Sequence, residues 1–121
     1  MDALKGSAVA LVSALLVAFL FAYTFRLPIP LGGMLGPFGD FSPYATSVKQ
    51  VALSVLAAWL FYGLFGGFIV LALCGGFSGW AAGRRYGGAK NKNRMIVLHA
   101  ALASVIPVAG LSVWDYIIGP W

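Results

Sequence analysis

The sequence predicts an all-α integral membrane protein with three hydrophobic helices, the second long and joined to the third by a short basic loop. Composition, three apolar runs and the placement of charge predict it. Of 121 residues, 61% are hydrophobic and 9% charged, against roughly 25% charged in a soluble domain. That balance excludes an ordinary cytosolic enzyme, a disordered chain and a nucleic-acid-binding globule. The one cysteine, Cys74, excludes a disulfide framework and a cysteine-based metal site. The length suits one membrane domain.

The first helix is expected over about residues 3–25, with Lys5 the charge near its start. At 1.5 Å per residue such a run spans about 30 Å, one hydrocarbon thickness. It exceeds the roughly 7–15 apolar residues of a secretory signal core, so it reads as a retained helix.

Residues 27–43 carry Pro28, Pro30, Gly32, Gly33, Gly36, Pro37, Gly39 and Pro43. No regular helix survives that density of breakers. The segment is expected as a loop that packs on the helices or lies in the interface, because open backbone in hydrocarbon is costly.

Ser42-Pro43 reads as an N-cap with proline at the first helical position, opening a helix over about 43–82. Its first half alternates Val48, Val51, Val55 and Trp59 with Lys49, Gln50 and Ser54, an amphipathic pattern. Residues 60–82 carry no charge and read as the spanning part, with 43–59 an extension and Trp59 and Tyr62 near the boundary. The alternative is a span over 51–74 with a break at Gly75-Gly76. The third helix is expected over about 95–118, where Pro107 and Gly110 invite a kink.

Arg84, Arg85, Lys90, Lys92 and Arg94 fall in the connection 83–94, and Lys5 lies at the N-terminus. The positive-inside rule places both in the cytoplasm. Three spans satisfy that demand and put Arg26, Asp40, Lys49 and Asp115 outside. Tyr23, Trp114, Tyr116 and Trp121 would form the outer aromatic belt, and Trp80 and Tyr86 the inner one. The expected location is the cell membrane, multi-pass.

Chemistry-bearing groups are sparse. There is no Glu, and the three Asp are far apart in sequence. His99 and Asp115 would stand about 24 Å apart along one helix, so they do not pair. His99 reads as an interfacial histidine and Cys74 as a small hydrophobe. The spans carry no ionisable residue near mid-depth, which argues against an ion-coupled transporter. A non-enzymatic protein is expected, with no cofactor beyond bound phospholipid and no small-molecule substrate.

Packing gives the stronger signal. Gly6, Ala10, Ala14, Ala18 and Ala22 recur every four residues in the first helix. Gly63 and Gly67, then Gly75, Gly79 and Gly83, do the same in the second. Such rows let helix backbones approach closely in lipid. They read as helix-packing surfaces of a homo-oligomer or larger membrane complex. The five loop cations would face phosphate, of lipid headgroups or of single-stranded DNA.

Two apolar helices joined by a short basic cytoplasmic loop, with an outer C-terminus, resemble the pilins of conjugative type IV secretion systems. The string Leu35-Gly36-Pro37-Phe38-Gly39 is similar to segments in some such pilins. The resemblance covers about two-thirds of the chain, residues 43–118, and implies a subunit extracted with phospholipid into an extracellular tube for DNA transfer. Residues 83–94 would line its lumen. Family members usually lose an N-terminal leader, and a retained first helix departs from that pattern. The competing expectation is a small accessory subunit of a respiratory or photosynthetic membrane complex.

Overall fold

A computed structural model describes residues 1–39, 42 and 47–118, the side chains at 115, 116 and 118 excepted. Asp40, Pro43 and Trp121, and the side chains of Asp115 and Tyr116, named above for charge, capping or the aromatic belt, lie outside that description. The elements are α1 (Asp2–Thr24), β1 (Leu27–Ile29), β2 (Gly33–Leu35), α2 (Val48–Tyr62), α3 (Phe68–Arg85) and α4 (Lys92–Ile118). Three segments are long and apolar enough to cross a membrane: Asp2–Thr24, Val48–Arg85 and Lys92–Trp114. This is an all-α multi-pass membrane protein. About a quarter of each span is buried inside the molecule, so most apolar side chains point outward, where lipid is the compatible solvent.

α1, α3 and α4 pack mutually, and α2 lies on α1 and β1. The small-residue face of α1, Gly6, Ala10, Ala14, Ala18 and Ala22, is fully buried. It is buried against this same chain. A Cβ added at Gly6 would strike the Gly75 carbonyl, and it would come within 2.9 Å of the Gly79 Cα. A Cβ at Gly79 would lie 2.6 Å from the Asp2 carbonyl oxygen. Backbone thus rests on backbone, the contact that glycine permits in lipid. The rows expected to face a second copy face each other. The Ser7 hydroxyl adds a hydrogen bond to the Ala72 carbonyl at 2.8 Å. The Ser13 hydroxyl reaches the Ser104 hydroxyl of α4 at 3.1 Å.

The middle segment departs from the unbroken helix expected over 43–82. α2 begins at Val48, where Ser47 and Gln50 form a reciprocal capping box that satisfies two orphan amides. Between α2 and α3 the helix opens into one wide turn, Gly63–Gly67, in which Gly66 takes φ 108° and Phe65 leaves helical geometry. The break therefore falls inside the stretch expected as one helix, and not at Gly75-Gly76, where the alternative put it. Gly63 and Gly67 shape this turn and do not form a packing row. A Cβ at Gly63 would strike the Phe68 ring, and one at Gly67 would sit 2.6 Å from the Tyr62 carbonyl oxygen. A straight segment of 38 residues would be about 57 Å long, so the break lets α3 span alone. Gly75 and Gly76 remain helical because their missing side chains serve the α1 contact.

Residues 27–35 form a short antiparallel hairpin with Leu27 opposite Leu35, where a loop is expected. Leu27 and Leu35 are buried, joining Val51, Val55 and Ala58 of α2 and Ala18 and Ala22 of α1 in the core. The hairpin thus plugs one end of the bundle. Gly36 takes φ 136°, and a Cβ there would lie 2.8 Å from the Arg26 Cα, so the chain closes on itself only with glycine. α4 continues through Pro107; neighbouring groups in a packed bundle tolerate that substitution of a ring for a donor.

Candidate functional site

The basic end of the bundle is built differently from a free loop over 83–94. α3 extends to Arg85 and α4 starts at Lys92. The connection is two successive tight turns, Ala89 N–H to the Tyr86 carbonyl at 2.9 Å and Lys92 N–H to the Ala89 carbonyl at 3.1 Å. Arg84 and Arg85 occupy the last turn of α3, where the helix dipole favours cations. Lys92 and Arg94 sit in the first turn of α4, which holds no acid and where the dipole opposes cations.

The five cations are not equivalent. Lys92 is half-buried and its ammonium lies 2.7 Å from the Asp2 carboxylate. Lys5 donates to the Asn93 side-chain oxygen at 3.3 Å. Arg84, Arg85, Lys90 and Arg94 are exposed. The Arg84 guanidinium lies 5.0 Å from the centre of the Trp80 ring, and that of Arg85 lies 5.8 Å from the Tyr86 ring. These contacts place the N-terminus and the connection at one end of the bundle. A topology with both on the same side of the membrane requires that placement.

The opposite end holds a residue that sequence reasoning counted only as an outer charge. Arg26 is 6% exposed, and its Nε donates to the Ser112 carbonyl of α4 at 2.9 Å. A lone arginine directly after a 23-residue apolar helix was the available signal. Tyr23 is half-buried and Trp114 half-exposed near this end.

The wide turn borders an apolar cavity of about 570 Å3, lined by Ala14, Ala18, Trp59, Tyr62, Leu111 and the turn's glycines among others. Phe65 and Val70 on its rim are exposed, so it opens sideways. Trp59 packs against Phe68, with ring centres 4.8 Å apart. Its Nε1 is buried without a hydrogen-bond partner.

His99 uses Nδ1 against the Met95 carbonyl at 2.8 Å and packs on Tyr86, ring centres 5.8 Å apart. Cys74 is a half-buried free thiol. No group of three or more His, Cys, Asp or Glu gathers among the described residues. No family model, curated protein or solved structure matches this chain.

Proposed function

We propose that the chain is a non-enzymatic structural subunit that resides in the membrane as a three-span bundle and serves a larger membrane complex as a small accessory component. The observation that carries this reading is the seat of α1 on α3, with Gly6 set against Gly75 and Gly79. A helix held backbone to backbone is an integral wall of the bundle. The sparse chemistry of the sequence supports a role exercised by contact. The outward apolar faces supply the surface for neighbouring membrane chains and lipid.

A second reading follows from the exposed cations at the α3–α4 connection. A pilin-like subunit for conjugative DNA transfer would present such a hairpin end to the lumen of a phospholipid-containing homopolymer. The two readings differ in the fate of α1. Purification of the native protein from mild detergent, with intact-mass measurement, separates them. A full-length chain in fixed ratio with larger subunits supports the accessory reading. A shortened chain recovered with phospholipid in sheared surface filaments overturns it in favour of the pilin reading.

A further inference from the structure

We propose that the cavity at the wide turn is a binding site for an uncharged lipophile that carries a ring carbonyl on an apolar tail, the chemistry of a membrane quinone. The inference concerns the bundle itself and holds whichever assembly the chain joins. The cavity measures about 570 Å3, within the range of about 300–1,000 Å3 typical of small-molecule sites. Ala14 and Ala18 border it and lie about 18 and 24 Å along α1 from Asp2. The cavity thus sits at membrane depth, in the half of the bundle away from the basic connection. Among the described residues, no charged side chain lines it. A ligand bearing a carboxylate or a phosphate would be desolvated there with no counter-charge, so the occupant is neutral.

The wall supplies the rest of the specification. Trp59 borders the cavity, and its Nε1 is a buried donor with no hydrogen-bond partner. An unpaired buried donor costs free energy, which a carbonyl brought by a ligand recovers. Tyr62, Phe65 and Trp114 add further aromatic rings to the wall, and such rings favour a flat ring beside them through offset and edge-on contacts. Phe65 and Val70 are 79% and 47% exposed on the rim, so an apolar tail leaves sideways among the acyl chains. Gly63, Gly66 and Gly67 line the cavity with backbone in place of side chains, and non-helical backbone at membrane depth is tolerated where it lines a cavity. A hydrocarbon chain alone would fill the volume and leave the indole N–H unpaired.

The full-length chain, isotope-labelled at its indole nitrogens, is reconstituted in phosphatidylcholine nanodiscs and titrated with decylubiquinone. The indole N–H resonances are followed by NMR, and Trp59→Phe identifies the Trp59 signal. That signal should move downfield and saturate, the mark of a new hydrogen bond, while the Trp80 signal at the basic end should not move. Decylbenzene has the tail and a ring but no carbonyl. It should give no downfield shift at Trp59 and bind about three- to tenfold more weakly, the worth of one hydrogen bond. Trp59→Phe, read on the Trp114 signal, should weaken decylubiquinone by the same factor and leave decylbenzene unchanged. Gly110→Leu enters the cavity from α4, where nothing lies within 4 Å of an added Cβ. It should weaken both probes by about tenfold or more, the cost of crowding a filled site. Circular dichroism checks that each variant retains its helices. If Trp59→Phe does not fold, Trp80→Phe, Trp114→Phe and Trp121→Phe together leave Trp59 as the one indole signal. A Trp59 signal that does not saturate, or an equal shift at Trp80, would mean partition into the bilayer and overturn the proposal. So would an equal downfield shift with decylbenzene, or unchanged binding in Gly110→Leu.

Discussion

Gly6 and Ala14 lie on the same face of α1, about two turns apart, and meet opposite surroundings. Around Gly6 the backbones of α1 and α3 touch, and nothing larger than hydrogen fits on Gly6, Gly75 or Gly79. Around Ala14 and Ala18 the same small-residue face borders an open cavity of about 570 Å3 at the wide turn. One row of small residues therefore does two things. Where the facing helix also lacks side chains, it gives a close seam. Where the facing segment is broken and its aromatic rings fold onto each other, it leaves space. Spacing alone specifies that a face is small; the partner face decides whether smallness becomes contact or void.

The largest expected effect breaks the seam. Gly79→Leu would drive a side chain into the Asp2 carbonyl and the Gly6 Cα, neither of which can move aside. The cost should exceed the roughly 1–3 kcal/mol of ordinary overpacking, seen as loss of the folded monomer in an unfolding titration in mixed micelles. Next in size is Arg26→Ala at the plugged end. Removing the donor to the Ser112 carbonyl should cost about 1.5–3 kcal/mol, the range for a hydrogen bond to a charged group, with faster proteolysis near the hairpin. Gly66→Ala should cost about 1–2 kcal/mol, because φ 108° disfavours a Cβ although no atom lies within 4 Å of it. The smallest pair sharpens the contrast. Ser7→Ala should cost about 0.6 kcal/mol, the average for a hydrogen bond between membrane helices. Gly110→Ala, beside the cavity with nothing within 4 Å of the new methyl, should be neutral or stabilising by up to about 1 kcal/mol. A destabilising Gly110→Ala would mean that the loose half is as tightly packed as the seam.

The three spans were legible because apolar runs of bilayer length have few other uses. The row from Gly6 to Ala22 was legible as a packing face, but its partner was not. The facing glycines lie some seventy residues away in sequence, and nothing local to Gly6 identifies Gly75 over a second chain. A longer separation, about ninety residues, hid the pairing of Lys92 with Asp2, so five cations looked alike. One continuous helix was expected over 43–82, with a break near Gly75-Gly76 as the alternative. The break falls at Gly66, because a glycine pair engaged by α1 stays helical and an unengaged cluster is free to take a positive φ. The Pro- and Gly-rich stretch was recognisable as non-helical. Its hairpin register depends on burying Leu27 and Leu35 against α1 and α2, which only the assembled bundle supplies.

The central claim is that the small-residue face of α1 is satisfied by α3 of the same chain. Disulfide trapping in native membranes tests it most directly, with Ser7→Cys and Gly76→Cys in a Cys74→Ala background. The Ser7 hydroxyl oxygen lies 2.8 Å from where a Cβ at position 76 would stand, close enough for a disulfide between the new thiols. Mild oxidation should link the two positions within one chain, giving a cross-linked monomer on a non-reducing gel and no dimer at any expression level. A disulfide-linked dimer as the main product would contradict the claim and return the small-residue rows to the interface between copies.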